Sequence, residues 1–173
     1  ISGESDYFFS RTALMYVYMG HMKWDHLQPY ENWFWEKNDL NLVKAWVEKI
    51  DFDQKKLRLS SGSPIEYDQL VLATGSIPNK FGWEGQDLPG VQGLVSKQDL
   101  IELEENTKFT LKAVIVGGGL IGVELAEMLR TRKIEVTMLV REKEFWHSVL
   151  PLEDAKMIAE HIESHGVKIL KEI

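Results

Sequence analysis

Ala113-Val114-Ile115-Val116-Gly117-Gly118-Gly119-Leu120-Ile121-Gly122-Val123-Glu124-Leu125-Ala126 joins a short apolar run to a glycine cluster and then to a helical periodicity. An apolar run bounded by glycine has the character of a buried parallel strand. The glycines fit G-x-G-x-x-G, and the residues after them predict a helix over Leu120–Lys133. Alone that pattern is weak, because glycine-rich turns are common. Its context supports it: Glu135–Val140 reads as a second strand ending 23 residues after Gly117. This completes the strand–turn–helix–strand unit of a dinucleotide site. Gly117 permits the tight turn, Gly119 removes a side chain so that backbone can approach a pyrophosphate, and Gly122 lets the helix pack against the sheet. The first helical N–H groups and the positive end of the helix dipole then face the phosphates. A glycine turn that merely packs is the plainer alternative.

The end of the second strand reads the adenosine ribose in such sites. An acid there binds the 2′-OH of NAD, whereas a nearby Arg accommodates the 2′-phosphate of NADP. The chain presents Val140-Arg141-Glu142. An apolar Val140 in the acid position followed by Arg141 favours NADP(H), since a guanidinium is a forked, fixed-charge partner for phosphate. Glu142, able to reach a ribose or to pair with Arg141, argues the other way, and so does Gly122, where NADP sites often carry Ala.

Towards the C-terminus, Pro151–His165 has the periodicity of an amphipathic helix with Pro in its first turn and Gly166 at its end, and Val167–Leu170 begins a third strand. The β-α-β-α-β alternation argues for a parallel sheet. Before Thr110 the pattern differs. A helix is expected from about Arg11 to Gly20, a short one at Pro29–Lys37, and strands at Leu42–Ile50, Lys56–Leu59 and Tyr67–Ala73, with Ser60–Pro64 as a turn. Ser76–Gly93 reads as irregular chain, and a helix follows at about 97–105, opening Ser96-Lys97-Gln98-Asp99. The change of pattern places a domain division at about residue 110, giving units 1–110 and 111–173.

Composition narrows the function classes. With 44% apolar and 27% charged residues among 173, the chain has the balance of a folded globular protein. Its net charge of −7 lacks the basic face that nucleic-acid binding requires. There is no cysteine, which excludes disulfides, thiolate metal sites and thiol chemistry within the stretch. No apolar run is long enough to span a membrane, no signal-peptide layout is present, and the cytoplasm is the expected compartment. The missing initial Met suggests processing or an internal piece of a longer protein. His161 and His165 stand one helical turn apart without an accompanying acid motif, so no metal site is expected. Trp33-Phe34-Trp35 with Tyr30 reads either as a partner surface or, more simply, as the packed face of a helix.

A second motif widens this picture. Tyr67-Asp68-Gln69-Leu70-Val71-Leu72-Ala73-Thr74-Gly75-Ser76-Ile77-Pro78 resembles the Y-D-x-L-x-x-A-T-G-x-x-P segment of the two-dinucleotide flavoprotein reductases, the FAD-dependent pyridine nucleotide–disulfide oxidoreductase family. There, as here, it precedes the nicotinamide fingerprint. The resemblance implies an α/β fold of three-layer, Rossmann-like FAD- and NAD(P)-binding domains with parallel sheets, both incomplete, and an antiparallel strand insertion. It also implies FAD and NAD(P) as cofactors. By the same resemblance, Thr74 and Gly75 lie against the flavin, Glu4 holds the FAD adenosine ribose, and Val47 gives a backbone contact to adenine. Arg11, in Ser10-Arg11-Thr12-Ala13-Leu14, matches the Y-x-R-x-x-L segment lining the isoalloxazine in members similar to ferredoxin reductases and nitrite-reductase flavin parts. Glu124 matches the acid facing the nicotinamide side of the flavin. Each has a plainer alternative: a solvated acid for Glu4, a surface residue for Arg11, a turn for Thr74-Gly75, a helix ion pair for Glu124.

The family's first glycine motif, which binds the FAD pyrophosphate, is absent from the stretch. Single-cysteine members carry their thiol where this chain has Ser10–Ala13, and a hydroxyl is a poor substitute for a thiolate. The resemblance therefore points to a dithiol-free reductase that passes hydride from nicotinamide to flavin and electrons onward to a protein or small acceptor. The cofactors carry that chemistry, so no catalytic side chain is assigned. The alternative from another class is a non-catalytic Rossmann nucleotide-binding or regulatory module without flavin. Oligomeric state is not legible.

Overall fold

In the computed structural model, which describes residues 1–173, the first half of the chain builds an antiparallel sheet. A 3-10 turn at Arg11–Ala13 leads into helix α1 (Leu14–Tyr18), a second 3-10 turn covers Trp24–Leu27, and α2 spans Asn32–Lys37. Strands β1 (Val47–Asp51), β2 (Lys56–Leu59) and β3 (Ile65–Glu66) then pair in the order β1-β2-β3. Leu57 and Leu59 alternate inward along β2 and with Ala45 form a small core, against which Val43, Ile50, Ile65, Tyr67 and Leu70 pack. Ahead of the hairpin, Ser2 and Lys44 form a parallel bridge: Ser2 N–H donates to Val43 O at 2.9 Å and Ala45 N–H to Ser2 O at 3.0 Å.

Helix α3 (Lys97–Thr107) opens with a reciprocal cap. Ser96 Oγ accepts from Asp99 N–H at 3.0 Å while the Asp99 carboxylate accepts from Ser96 N–H at 2.7 Å. That exchange satisfies helix-start donors that would otherwise need water. Beyond it, β4 (Lys112–Val116), α4 (Leu120–Thr131), β5 (Glu135–Val140), α5 (Leu152–Ser164) and β6 (Val167–Lys171) form a parallel sheet in the order β4-β5-β6. The register aligns Ile115, Met138 and Ile169 in one row and places Val136 beside Val167. These side chains are buried, and so are Ala126, Met128 and Leu129 of α4 and Ala155, Ala159 and Ile162 of α5. Gly166, at φ +81°, ends the last helix in the left-handed conformation, where Arg130 Nε donates to His165 O at 3.1 Å.

The chain divides into two compact units, residues 1–14 with 23–101 and residues 15–22 with 102–173. Within the second, Tyr18 is 1% exposed. Its hydroxyl donates to Thr107 Oγ1 at 2.8 Å, and its carbonyl accepts from Arg132 at 3.1 and 2.6 Å. The same guanidinium lies 3.6 Å from the Tyr18 ring centroid and pairs with Glu104 at 3.1 Å.

The α/β class, the parallel sheet and the antiparallel insertion are those expected. Three local expectations are corrected. Tyr67–Ala73 is not a strand: only Ile65–Glu66 pairs with β2, and Val71 and Leu72 are exposed. Extended chain becomes a strand only when a neighbour takes its backbone groups in series, and there the backbone pairing stops at Tyr67, whose N–H donates to Lys55 O at 3.0 Å. Leu42–Ile50 is not one strand either, because the run splits between the bridge at Lys44 and β1. Finally, β4 is not buried on both faces. Val114 and Val116 are 64% and 59% exposed, since only the Ile115 face of β4 is covered.

Candidate functional site: a glycine turn at the head of a parallel sheet

Gly117 continues the parallel ladder, its N–H donating to Leu139 O at 2.9 Å, and then turns the chain at φ +111°. That conformation is open to glycine and strained for other residues. Gly119 is the N-cap of α4, extended and without a side-chain cap, and a Cβ built on it meets nothing within 4 Å. The face of the turn over Gly119 is thus open, and the first N–H groups of α4 have no capping side chain. Gly122 is the opposite case, because its Cβ would stand 2.4 Å from Gly117 O. The helix approaches the turn so closely that backbone fills the place of a side chain. All three assigned glycines are therefore gathered in one feature, an open-faced cradle at a helix start, a place whose unpaired N–H groups suit an anion.

Val140 ends β5 with its side chain 1% exposed. It points beneath the turn rather than into solvent. Arg141 and Glu142 follow at the surface and pair at 3.1 Å, with the Arg141 side chain 87% exposed. An exposed guanidinium and the carboxylate it pairs with therefore stand side by side at the end of the strand. Glu124 is exposed, on the second turn of α4.

The other assigned residues lie in the first unit. The Glu4 carboxylate accepts from Arg11 Nη1 at 3.0 Å, Arg11 Nη2 at 2.5 Å and Lys97 N–H at 2.7 Å, so it both pairs with Arg11 and caps α3. Arg11 also donates to Val95 O. Burial alone would raise the Glu4 pKa, but the Arg11 and Lys97 hydrogen bonds and the Arg11 charge outweigh it and hold the carboxyl below its ordinary value. The hydrogen bond to Glu4 raises Arg11 in turn. A carboxylate offers about four lone-pair positions. With three taken, Glu4 keeps room for a single further donor. Both residues line a cleft of about 470 Å³ together with Ser2, Tyr7, Phe9 and Val43. Val47 heads β1 opposite Leu59, and Thr74 and Gly75 are exposed. None of these three lines the cleft.

Two contributions escaped the sequence. Lys97 meets Glu4 through its backbone, which no side-chain motif announces. Gly118, the variable position of the fingerprint, is forced to be small because Phe145 occupies the space above it. The run of three glycines was its one signal.

A sequence model of the pyridine nucleotide-disulphide oxidoreductases matches residues 15–173. The chain belongs to that family. It is 31% identical over 150 residues to monodehydroascorbate reductase 3 of Arabidopsis thaliana, covering 83% of this chain and 34% of the relative. To the ferredoxin–NAD(+) reductase component of the biphenyl dioxygenase system of Paraburkholderia xenovorans it is 32% identical, over 71% of this chain and 30% of that one. Among solved structures, a ferredoxin reductase from Rhodopseudomonas palustris superposes with TM-score 0.88 at 24% identity, over 99% of this chain and 44% of that one. An NAD-dependent persulfide reductase from A. fulgidus gives TM-score 0.88 at 26% identity, over 99% and 34%. The chain thus spans about a third of the curated relatives it matches.

Proposed function

We propose that this chain is part of an FAD-dependent NAD(P)H oxidoreductase, with residues 111–173 on the nicotinamide-nucleotide side and residues 1–110 on the flavin side. The observation that carries the reading is the cradle of Gly117, Gly119 and Gly122, open over Gly119 and set at the start of α4. When bound, the nicotinamide and the flavin supply hydride and electron transfer. The protein's residues bind and orient. Backbone N–H groups at the start of α4 receive a pyrophosphate, and Arg141 meets the adenosine ribose with a preference for a 2′-phosphate. Glu4 offers its remaining acceptor position to one ribose hydroxyl of FAD, and Arg11 lines the same cleft. Ferredoxin and rubredoxin reductases among the relatives support an electron-carrier protein as acceptor.

A second reading, a nucleotide-binding module without flavin, draws on the commitment of Glu4 to Arg11 and Lys97. Steady-state assays of the intact protein with NADPH or NADH and an artificial electron-accepting dye separate the two. FAD-dependent dye reduction supports the reductase. Nucleotide binding without any FAD-dependent turnover supports the module.

A further inference from the structure

We propose that Phe145 is a positioning residue for the nucleotide: its ring sets the height of the glycine turn and thereby the affinity for the pyrophosphate. The inference rests on the dinucleotide reading above and concerns a residue outside the fingerprint. Phe145 is fully buried in a loop where Arg141, Lys143, His147, Ser148 and Val149 are exposed and Glu142, Glu144, Trp146 and Leu150 are half-buried. It stays inside because its ring fills the space above Gly118. A methyl group on Gly118 would stand 2.9 and 3.1 Å from Phe145 Cε2 and Cδ2, and 3.0 Å from Val140 Cγ2. Gly118 does not have a positive φ, so glycine is required there for space and not for backbone conformation.

Both chain neighbours of Phe145 are held in place. Trp146 stacks on it at 5.4 Å between centroids and 14° between planes. Glu144, the preceding residue, pairs with Lys171 of β6 at 2.8 Å. The segment Arg141–Trp146 therefore does two things at once. It presents Arg141 at the strand end and supports the α-carbon between Gly117 and Gly119. Raising or lowering that support moves the open face of the cradle relative to Arg141. The pyrophosphate and the ribose end are then no longer met together.

Calorimetric titration of the intact protein with NADP⁺ and NAD⁺ tests this, using Phe145→Ala, Phe145→Leu, Gly118→Ala and the double variant Gly118→Ala/Phe145→Leu. Phe145→Ala and Gly118→Ala are expected to weaken binding by about tenfold to a hundredfold, the equivalent of one lost hydrogen bond to a charged phosphate. Phe145→Leu should have a smaller effect. KM for the reduced nucleotide should rise while kcat at saturation is kept, which marks a loss of uniform binding. The double variant should bind more tightly than Gly118→Ala alone, because the smaller Leu makes room for the added methyl. Should Phe145→Ala fail to fold, Phe145→Leu and the double variant carry the comparison. Strictly additive effects, or unchanged affinity in folded variants, would overturn the proposal. A wild-type protein that binds neither nucleotide would instead overturn the dinucleotide reading itself.

Discussion

Replacing Arg141 by Ala should separate the two nicotinamide nucleotides. The side chain is 87% exposed and its partner is the neighbouring Glu142 at 3.1 Å. Removing it therefore leaves the sheet intact, and the lost surface pair contributes within about 1 kcal/mol. A guanidinium hydrogen-bonded to a 2′-phosphate contributes about 1.5–3 kcal/mol, and about 1.4 kcal/mol corresponds to a tenfold change. KM for NADPH should therefore rise about 10- to 100-fold, while KM for NADH stays within about twofold. Glu142 sharpens the test. In the free protein it neutralises Arg141, and when a 2′-phosphate arrives it becomes a like charge beside it. Two unit charges about 6 Å apart in water repel by about 0.7 kcal/mol, so Glu142→Gln should lower KM for NADPH by about threefold. Added salt should narrow the preference for NADPH, because the interaction is exposed and screened. Steady-state kinetics with both nucleotides at two ionic strengths measure all of this. Unchanged NADPH kinetics in Arg141→Ala would refute the assignment of Arg141 to the phosphate.

Three further outcomes follow from the geometry. Arg132→Ala removes two donors from the Tyr18 carbonyl and the pair with Glu104; urea denaturation should show a loss of about 1–3 kcal/mol, and a change near zero would deny that this network holds residues 15–22 in place. The Glu4 carboxyl titrates below its ordinary 4.5, so its stabilising effect is present above that pH and is lost as pH falls through the depressed value. Stability curves of wild type and Glu4→Gln should therefore converge in acid, and a difference that persists at low pH would contradict the ion-pair account. Gly166→Ala places a side chain at φ +81° with its Cβ 2.8 Å from Arg130 Nη2, so it should destabilise by about 1–2 kcal/mol, and a neutral result in a thermal melt would show that the helix end can relax.

What was legible in the chain was whatever is encoded locally. The turn at Gly117–Gly122 follows from backbone conformation at Gly117 and close approach of backbone at Gly122. The cap at Ser96 and Asp99 and the stop at Gly166 are of the same kind. Partner-dependent features were not legible. Tyr67–Ala73 has the composition of a strand, yet its backbone pairing stops at Tyr67. Val114 and Val116 read as buried residues, but the sheet is covered on one face of β4. Glu4 and Arg11 were expected to serve separate parts of a cofactor, and the fold binds them to each other. Phe145 lies 27 residues from Gly118, and only packing reveals that the ring supports the turn.

The central claim is that a nicotinamide nucleotide held at Gly117–Gly122 delivers reducing equivalents to a flavin bound by the same protein. An anaerobic titration of the intact, FAD-supplied protein with NADPH and with NADH, followed by flavin absorbance, tests it most directly. The account predicts stoichiometric bleaching of the flavin, at lower nucleotide concentration for NADPH. A protein that takes up no FAD, or whose bound flavin neither nucleotide bleaches, would contradict it.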